Sequence, residues 1–339
     1  MAFPIINDYK TAFRNAAGRF ATLGLTPVLN ASGAPLFMAG NFAAVFKASL
    51  SADAGGEESG DHATVAVKCF IRDLPDLEKR HQAISDFAAR TNPHSFIEVR
   101  FLSRELYVKS TIAGSGDYPV VVMPWIKGHT MGEVTILLAA RKHQKGLAGL
   151  TRAFARMCLE LLSLGVAHGD LKHDNVMVTP AGHLKLIDYE AMYVPDLKGL
   201  PSILLGGVNY QHPGRDERHF GPSLDHFSML VTVLSLRAVT LEPELLQRYN
   251  TGENIIFVRN DFIAPHRSEL FAQLAESPDS LVRDWAKRLA TAATSAPNAV
   301  PGIERVLKQA EKATVDLVTG GGTGRLLSLL DVVGGWIRR

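Results

Sequence analysis

Residues 168–194, HGDLKHDNVMVTPAGHLKLIDYEAMYV, hold four side chains whose types and spacing could carry chemistry. Asp170, Lys172 and Asn175 fall within six residues, and Asp188 follows one hairpin later, beyond the turn Pro180-Ala181-Gly182. Transfer of a phosphoryl group from a nucleotide needs this kit. A carboxylate accepts the proton of the attacking hydroxyl, a cation steadies the moving group, and an amide and a second carboxylate hold magnesium between the β- and γ-phosphates. The plain alternative is a β-hairpin with polar turns, in which the same residues are solvated or cap a helix.

His168-Gly169-Asp170-Leu171-Lys172-His173-Asp174-Asn175 resembles the catalytic loop H-R-D-L-K-x-x-N of protein kinases, and Asp188-Tyr189-Glu190 resembles their D-F-G motif. The resemblance implies Asp170 as catalytic base, Lys172 near the γ-phosphate, and Asn175 and Asp188 as magnesium ligands. Val65-Ala66-Val67-Lys68 resembles the V-A-I-K strand, whose lysine pairs with the α/β-phosphates. Residues 38–45, MAGNFAAV, resemble the phosphate-covering loop G-x-G-x-F-G-x-V, with only Gly40 kept of its three glycines. Residues 206–213, GGVNYQHP, have the spacing of the G-T-x-x-Y-x-A-P-E segment that closes the activation loop. Asp225-His226-Phe227-Ser228 resembles the start of the buried helix under the catalytic loop, where the aspartate bonds that loop's backbone. The pieces stand in kinase order over residues 35–290.

By the same resemblance, Met123 guards the back of the nucleotide pocket, backbone groups of 124–126, Trp125 among them, meet the adenine edge, and Val45, Ala66 and Met177 sandwich the base. For those last three, plain core packing is the equal alternative. The implied fold is α+β and bilobal: a lead-in at 1–34, a small β-rich lobe at 35–124, a larger α-helical lobe at 125–290 hinged near 125–128, and a helical extension at 291–339. The implied activity is an ATP- and magnesium-dependent Ser/Thr protein kinase acting on a protein substrate. A small-molecule (aminoglycoside-type) kinase and a nucleotide-binding pseudokinase scaffold are the alternatives.

Departures from the kinase pattern bear on that choice. Gly169 replaces the H-R-D arginine that meets a phosphorylated activation loop, and segment 189–213 has only Ser202 and three tyrosines as hydroxyls. A constitutively ordered segment is therefore expected. Glu190 replaces the D-F-G glycine, and the helix partner of Lys68 is open among Glu78, Gln82 and Asp86. An H-G-D loop leans towards small-molecule kinases; Lys172 and the closing segment at 206–213 lean towards protein substrates.

Local patterning supplies the elements that must position these groups. Alternation predicts strands over 42–48 and 64–70 around a polar, mobile loop at 51–63, with further strands over 96–101, 105–111 and 119–124. A helix is expected over 75–90, with Leu77, Ile84, Phe87 and Ala88 on one face. Helices are also expected over 134–143 and 150–164, and most of 224–293 reads as helical. In the tail, 319–324 reads as a linker and 326–337 as an apolar helix that docks first on the protein itself, with a partner or a membrane surface as the alternatives.

Composition narrows the rest. The 36 Lys+Arg against 34 Asp+Glu give a net charge of +2, which argues against a nucleic-acid-coating protein. Cys69 and Cys158 are too few for a disulfide framework or zinc cluster, so a reducing, cytoplasmic setting is expected. No apolar run approaches the roughly twenty residues of a spanning helix. His212, His219 and His226 recur every seven residues but read as structural or surface groups rather than zinc ligands.

Overall fold

The computed structural model describes residues 2–50, 63–297 and 300–319. The expected loop at 51–63 (apart from Ala63) and the expected linker and apolar tail helix beyond Thr319 lie outside the described residues. The chain forms two compact units. One holds the described residues up to Asn92 together with Ile97–Ile126; the other holds Pro93–Phe96 and those from Lys127 onward.

The first unit is a six-stranded antiparallel sheet with two helices. Its elements are α1 (Ile6–Arg14), β1 (Leu25–Pro27), β2 (Phe37–Ala39), β3 (Ala43–Leu50), β4 (Thr64–Phe70), α2 (Leu77–Thr91), β5 (Arg100–Val108) and β6 (Gly116–Pro124). The strand order is β1-β3-β4-β6-β5, with β2 also paired to β3. In β3 the fully buried Ala44, Phe46 and Ala48 alternate with half-buried Val45, Lys47 and Ser49. That period of two sets which side chains share a face.

Helix α1 packs by stacking Phe13 on Phe46 at 4.1 Å, and the buried Tyr9 hydroxyl donates to Phe70 O at 2.7 Å. Residues 2–34, the expected lead-in, are part of this unit, with Phe3, Tyr9, Ala12, Phe13, Ala16, Leu23 and Leu25 buried. Helix α2 follows the expected 75–90 closely. Its buried His81 lies parallel to Phe101 at 5.7 Å and tilted to Phe70 at 5.1 Å. The two strands expected over 96–101 and 105–111 are one strand, β5, with a bulge between Leu102 and Leu106. The polar pair Ser103-Arg104 imitates a break between strands, while Glu105 beside it is buried and accepts from the amides of Thr22 and Leu23, both at 2.9 Å.

The second unit contains β7 (His129–Thr130), α3 (Met131–Ala140), α4 (Gln144–Leu164), β8 (Val176–Val178), β9 (Leu184–Leu186), α5 (His226–Leu241), α6 (Glu244–Tyr249), α7 (Arg259–Ile263), α8 (Glu269–Ala275), α9 (Ser280–Ala293) and α10 (Ile303–Thr319). Helix α3 starts three residues before the expected 134 because Thr130 and Glu133 cap each other's backbone, at 3.2 and 2.8 Å. Helix α5 is apolar nearly all round and buried accordingly. Residues 93–96 join this unit through Glu160 of α4, which accepts from His94 N at 2.7 Å and Ser95 N at 3.0 Å. Helix α10 packs against α4 and α5, with Val306, Leu307 and Ala310 buried.

The single arginine of α5 is compensated. Arg237 donates to Asp279 at 2.7 Å, and Asp279 also caps α9 by accepting from Val282 N at 2.9 Å. Burial would raise the Asp279 carboxyl, but Arg237 and the amides of Val282 and Leu281 outweigh it and hold the value below normal. Because the folded value lies below the unfolded one of about 3.9, this stabilisation is complete above about pH 4 and is lost as pH falls through the folded value. Asp279→Asn keeps the cap and loses the ion pair. It is expected to cost about 1.5–3 kcal/mol near pH 7 in urea unfolding, with the deficit shrinking in acid. An equal deficit at both pH values would count against the ion pair as the source.

Candidate functional site

The loop at 166–175 leaves α4 after Gly165 and is fixed first by backbone bonding, Ala167 and Tyr193 exchanging amide bonds at 3.1 and 2.8 Å. The amides of His168 and Gly169 then both donate to the Asp225 carboxylate, the latter at 2.9 Å. Asp225 is fully buried. Burial pushes its carboxyl up, against the pull of His168, the two amides and Arg215. The sequence expectation for Asp225, a buried carboxylate bonded to this loop's backbone, is what the structure contains.

Asp170 follows directly. Its Oδ2 accepts from Asn175 Nδ2 at 3.0 Å, and its Oδ1 accepts from Gly207 N at 2.7 Å. Asn175 Nδ2 also donates to Asp170 O at 2.8 Å. With the nitrogen spent on two acceptors, Oδ1 is the Asn175 side-chain atom able to ligate a cation.

The hairpin β8–β9 brings Asp188 back beside this loop. Ile187 N donates to Asn175 O at 3.0 Å, while His168 Nε2 donates to Ile187 O at 2.8 Å. Asp188 is exposed and has φ +71°, a left-handed conformation that a non-glycine residue holds only under local constraint. Glu190, in the glycine position of the D-F-G resemblance, is buried in the short 3-10 turn Tyr189–Ala191. The Asn175 side chain thus links to Asp170 and its carbonyl accepts from Ile187, the residue before Asp188, and Lys172 is half-buried on the same loop. A Cβ on Gly207 would come 3.5 Å from Lys172 Cδ and 3.6 Å from Asp170 Oδ1.

No protein-family model matches the chain, and no curated protein matches it either.

Among the described residues, no group of three or more His, Cys, Asp and Glu side chains could hold a metal ion. The donors on offer are the oxygens of Asn175 and Asp188. Two protein oxygens suit magnesium, which keeps several waters and shares its remaining positions with substrate phosphates. The seven-residue histidine series forms no metal cluster. His212 accepts from Gly214 N at 3.0 Å and donates to Ala292 O at 3.0 Å, and His219 faces Asp216 at 2.8 Å.

The other expected site residues lie on the first unit, except Met177. Register pairs Val45 with Lys68, Lys68 with Val121, and Ala66 with Met123. Val45, Ala66, Lys68 and Met123 therefore share one face of the sheet. Trp125 follows Met123 at the same period, and Lys47 Nζ sits 4.7 Å from its ring centre. Gly40 closes the β2–β3 hairpin, donating from N to Ala43 O at 2.9 Å around Asn41-Phe42. Gly40 does not have positive φ, and a Cβ there would make only an ordinary 3.6 Å contact. Met177 lies half-buried in the middle of β8, between the buried Val176 and Val178. Glu78, Gln82 and Asp86 all lie on the exposed side of α2, where Gln82 donates to Asp86 at 2.9 Å. The buried side of α2 carries Leu77, Arg80, His81, Ile84, Phe87 and Ala88 instead, and Lys68 itself is buried.

Sequence reasoning missed three contributors: the Gly207 amide on Asp170, the Tyr210 hydroxyl 2.6 Å from His173 Nδ1, and the buried Arg215. The pair Gly206-Gly207 was a usable signal, since Gly206 has φ +72° and a Cβ there would come 2.9 Å from Asp170 Oδ1.

Proposed function

We propose that this chain is an ATP- and magnesium-dependent phosphotransferase of the Ser/Thr protein kinase kind. The observation that carries the reading is the fixing of Asp170: both carboxylate oxygens are bonded, and the preceding peptide is anchored by the buried Asp225. Each carboxylate oxygen has a second acceptor site, so the group can still take a proton. In the proposed step the acceptor hydroxyl gives its proton to Asp170, its oxygen bonds the γ-phosphorus, and the bond to the β-phosphate oxygen breaks to release ADP. Asn175 Oδ1 and the Asp188 carboxylate would hold magnesium, which supplies charge neutralisation between the β- and γ-phosphates. Lys172 is assigned to the γ-phosphate, and Lys68 to the α/β-phosphates, on motif resemblance. Gly40, Val45, Ala66, Met123, Trp125 and Met177 are assigned to the nucleotide on the same ground.

A sheet unit followed by a helical unit, each with its share of the motifs in order, supports the bilobal kinase-like fold in this proposal. A protein acceptor is favoured over a small molecule by the exposed Leu205 and Val208, which flank the glycines against Asp170 and offer apolar contact to a peptide. The buried free thiols Cys69 and Cys158 suit the cytoplasmic setting that completes the proposal. No helix among the described residues is long and apolar enough to cross a membrane.

Thermal shift with ATP, with and without magnesium, tests the nucleotide reading. The wild type should gain stability with ATP and gain more with magnesium, while Asp188→Ala should lose the magnesium-dependent part. No shift by ATP under either condition would remove the proposal, and an unaltered magnesium increment in Asp188→Ala would remove that ligand.

A further inference from the structure

Arg215 lies just beyond the segment at 189–213 and is only 9% exposed. Its Nη1 donates to Gly169 O at 2.7 Å and to Gln211 Oε1; its Nη2 donates to Leu204 O at 3.1 Å and to Ser202 Oγ at 3.3 Å. One planar guanidinium thus ties the catalytic-loop peptide to three points of the segment, a task suited to its rigid fork of donors. The residue after Gly169 is Asp170, and the residues after Leu204 lead to the Gly207 amide that bonds Asp170. The Gly169 residue is gripped from both sides, its N–H by Asp225 and its C=O by Arg215.

A cation could not be supplied from position 169 itself. Gly169 has φ +78°, and a Cβ there would come 2.1 Å from Ala191 O. Nor is the segment's serine open to modification while this arrangement holds. Ser202 is 4% exposed, its N–H donates to Glu217 O at 2.7 Å, and its hydroxyl donates to Leu204 O at 2.8 Å.

We infer that Arg215 is a positioning residue that pins residues 202–211 to the catalytic loop and aims Asp170, so that the segment is ordered without any phosphate being added to it. The role in aiming Asp170 rests on the phosphotransferase reading; the pin itself does not. Burial lowers the Arg215 pKa, opposed by Asp225 and Asp170, and these two carboxylates favour its charged form.

The test compares the full-length wild type with Arg215→Lys and Arg215→Met by hydrogen exchange. Phosphate transfer from ATP–magnesium to a generic basic protein is measured in parallel, with intact mass to establish that segment 189–213 carries no phosphate. In both variants, amides at 202–208 should exchange at least about tenfold faster, with α5 protection retained. The lysine variant keeps the charge but cannot span the four acceptors. Its kcat should fall about 10²-fold, the scale of a small misplacement at a reacting centre, with KM for ATP within about twofold. Should Arg215→Met not fold, Arg215→Lys carries the test. Unchanged exchange at 202–208 overturns the pin. Faster exchange with unchanged kcat overturns the positioning role, and so does a wild type active only when the segment is phosphorylated. Faster exchange in a protein whose wild type transfers no phosphate upholds the pin and removes the phosphotransferase reading.

Discussion

Asp170→Asn is expected to slow phosphate transfer about 10²–10⁴-fold, the range for loss of a positioned general base. The substitution is close to isosteric, and the two groups bonded to the carboxylate, Asn175 Nδ2 and Gly207 N, are both donors. An asparagine can present its oxygen to only one of them, so the cost in stability should be about 1–2 kcal/mol and the variant should stay folded. ATP affinity should change little, because Asp170 is assigned to the acceptor hydroxyl rather than to the nucleotide. The informative comparison is kcat against KM for ATP in the folded variant. Transfer within threefold of wild type would mean that Asp170 is not the base.

The second large effect falls on stability. Asp225→Ala should destabilise the second unit by about 5 kcal/mol. Two buried amides, His168 N and Gly169 N, lose their acceptor, at about 1–3 kcal/mol each, and the buried Arg215 loses a neighbouring countercharge. At about 2–4 °C per kcal/mol, this corresponds to roughly 10–20 °C in the midpoint of that unit's unfolding. Asp225→Asn, which keeps one acceptor oxygen, should lose about half as much. Equal stability of Asp225→Ala and wild type in urea would contradict the anchoring role. Activity in Asp225→Asn should drop further than its stability, since the peptide it holds leads directly into Asp170.

The links within the loops at 166–175 and 187–191 were legible because their residues interact over short spans. Asp170 and Asn175 are five residues apart, and His168 reaches Ile187 across one hairpin. Strand β3 and helix α2 were legible because burial imprints a period on each. Contacts set by distant segments were not legible. Phe13 is an unremarkable helix residue until the fold stacks it on Phe46, and the Tyr9 hydroxyl finds its acceptor 61 residues away. The gap between the strands expected over 96–101 and 105–111 falls on the polar Ser103-Arg104, and the burial of Glu105 depends on two amides more than eighty residues distant. Arg215 carried no signal at all, being one of many arginines until Gly169, Ser202, Leu204 and Gln211 converge on it. For Lys68, spacing left the helix partner open among three residues, and all three lie on the exposed side of α2.

Incubation of the purified wild type with γ-labelled ATP, magnesium and a generic basic protein, alongside Asp170→Asn and a magnesium-free control, bears most directly on the central claim. Label is expected on serine or threonine of the acceptor with wild type and magnesium, with a loss of about 10²-fold or more in each of the other two arms. Absence of label from the acceptor and from the chain itself, in a wild type that ATP does stabilise, would contradict phosphotransfer and leave a nucleotide-binding protein.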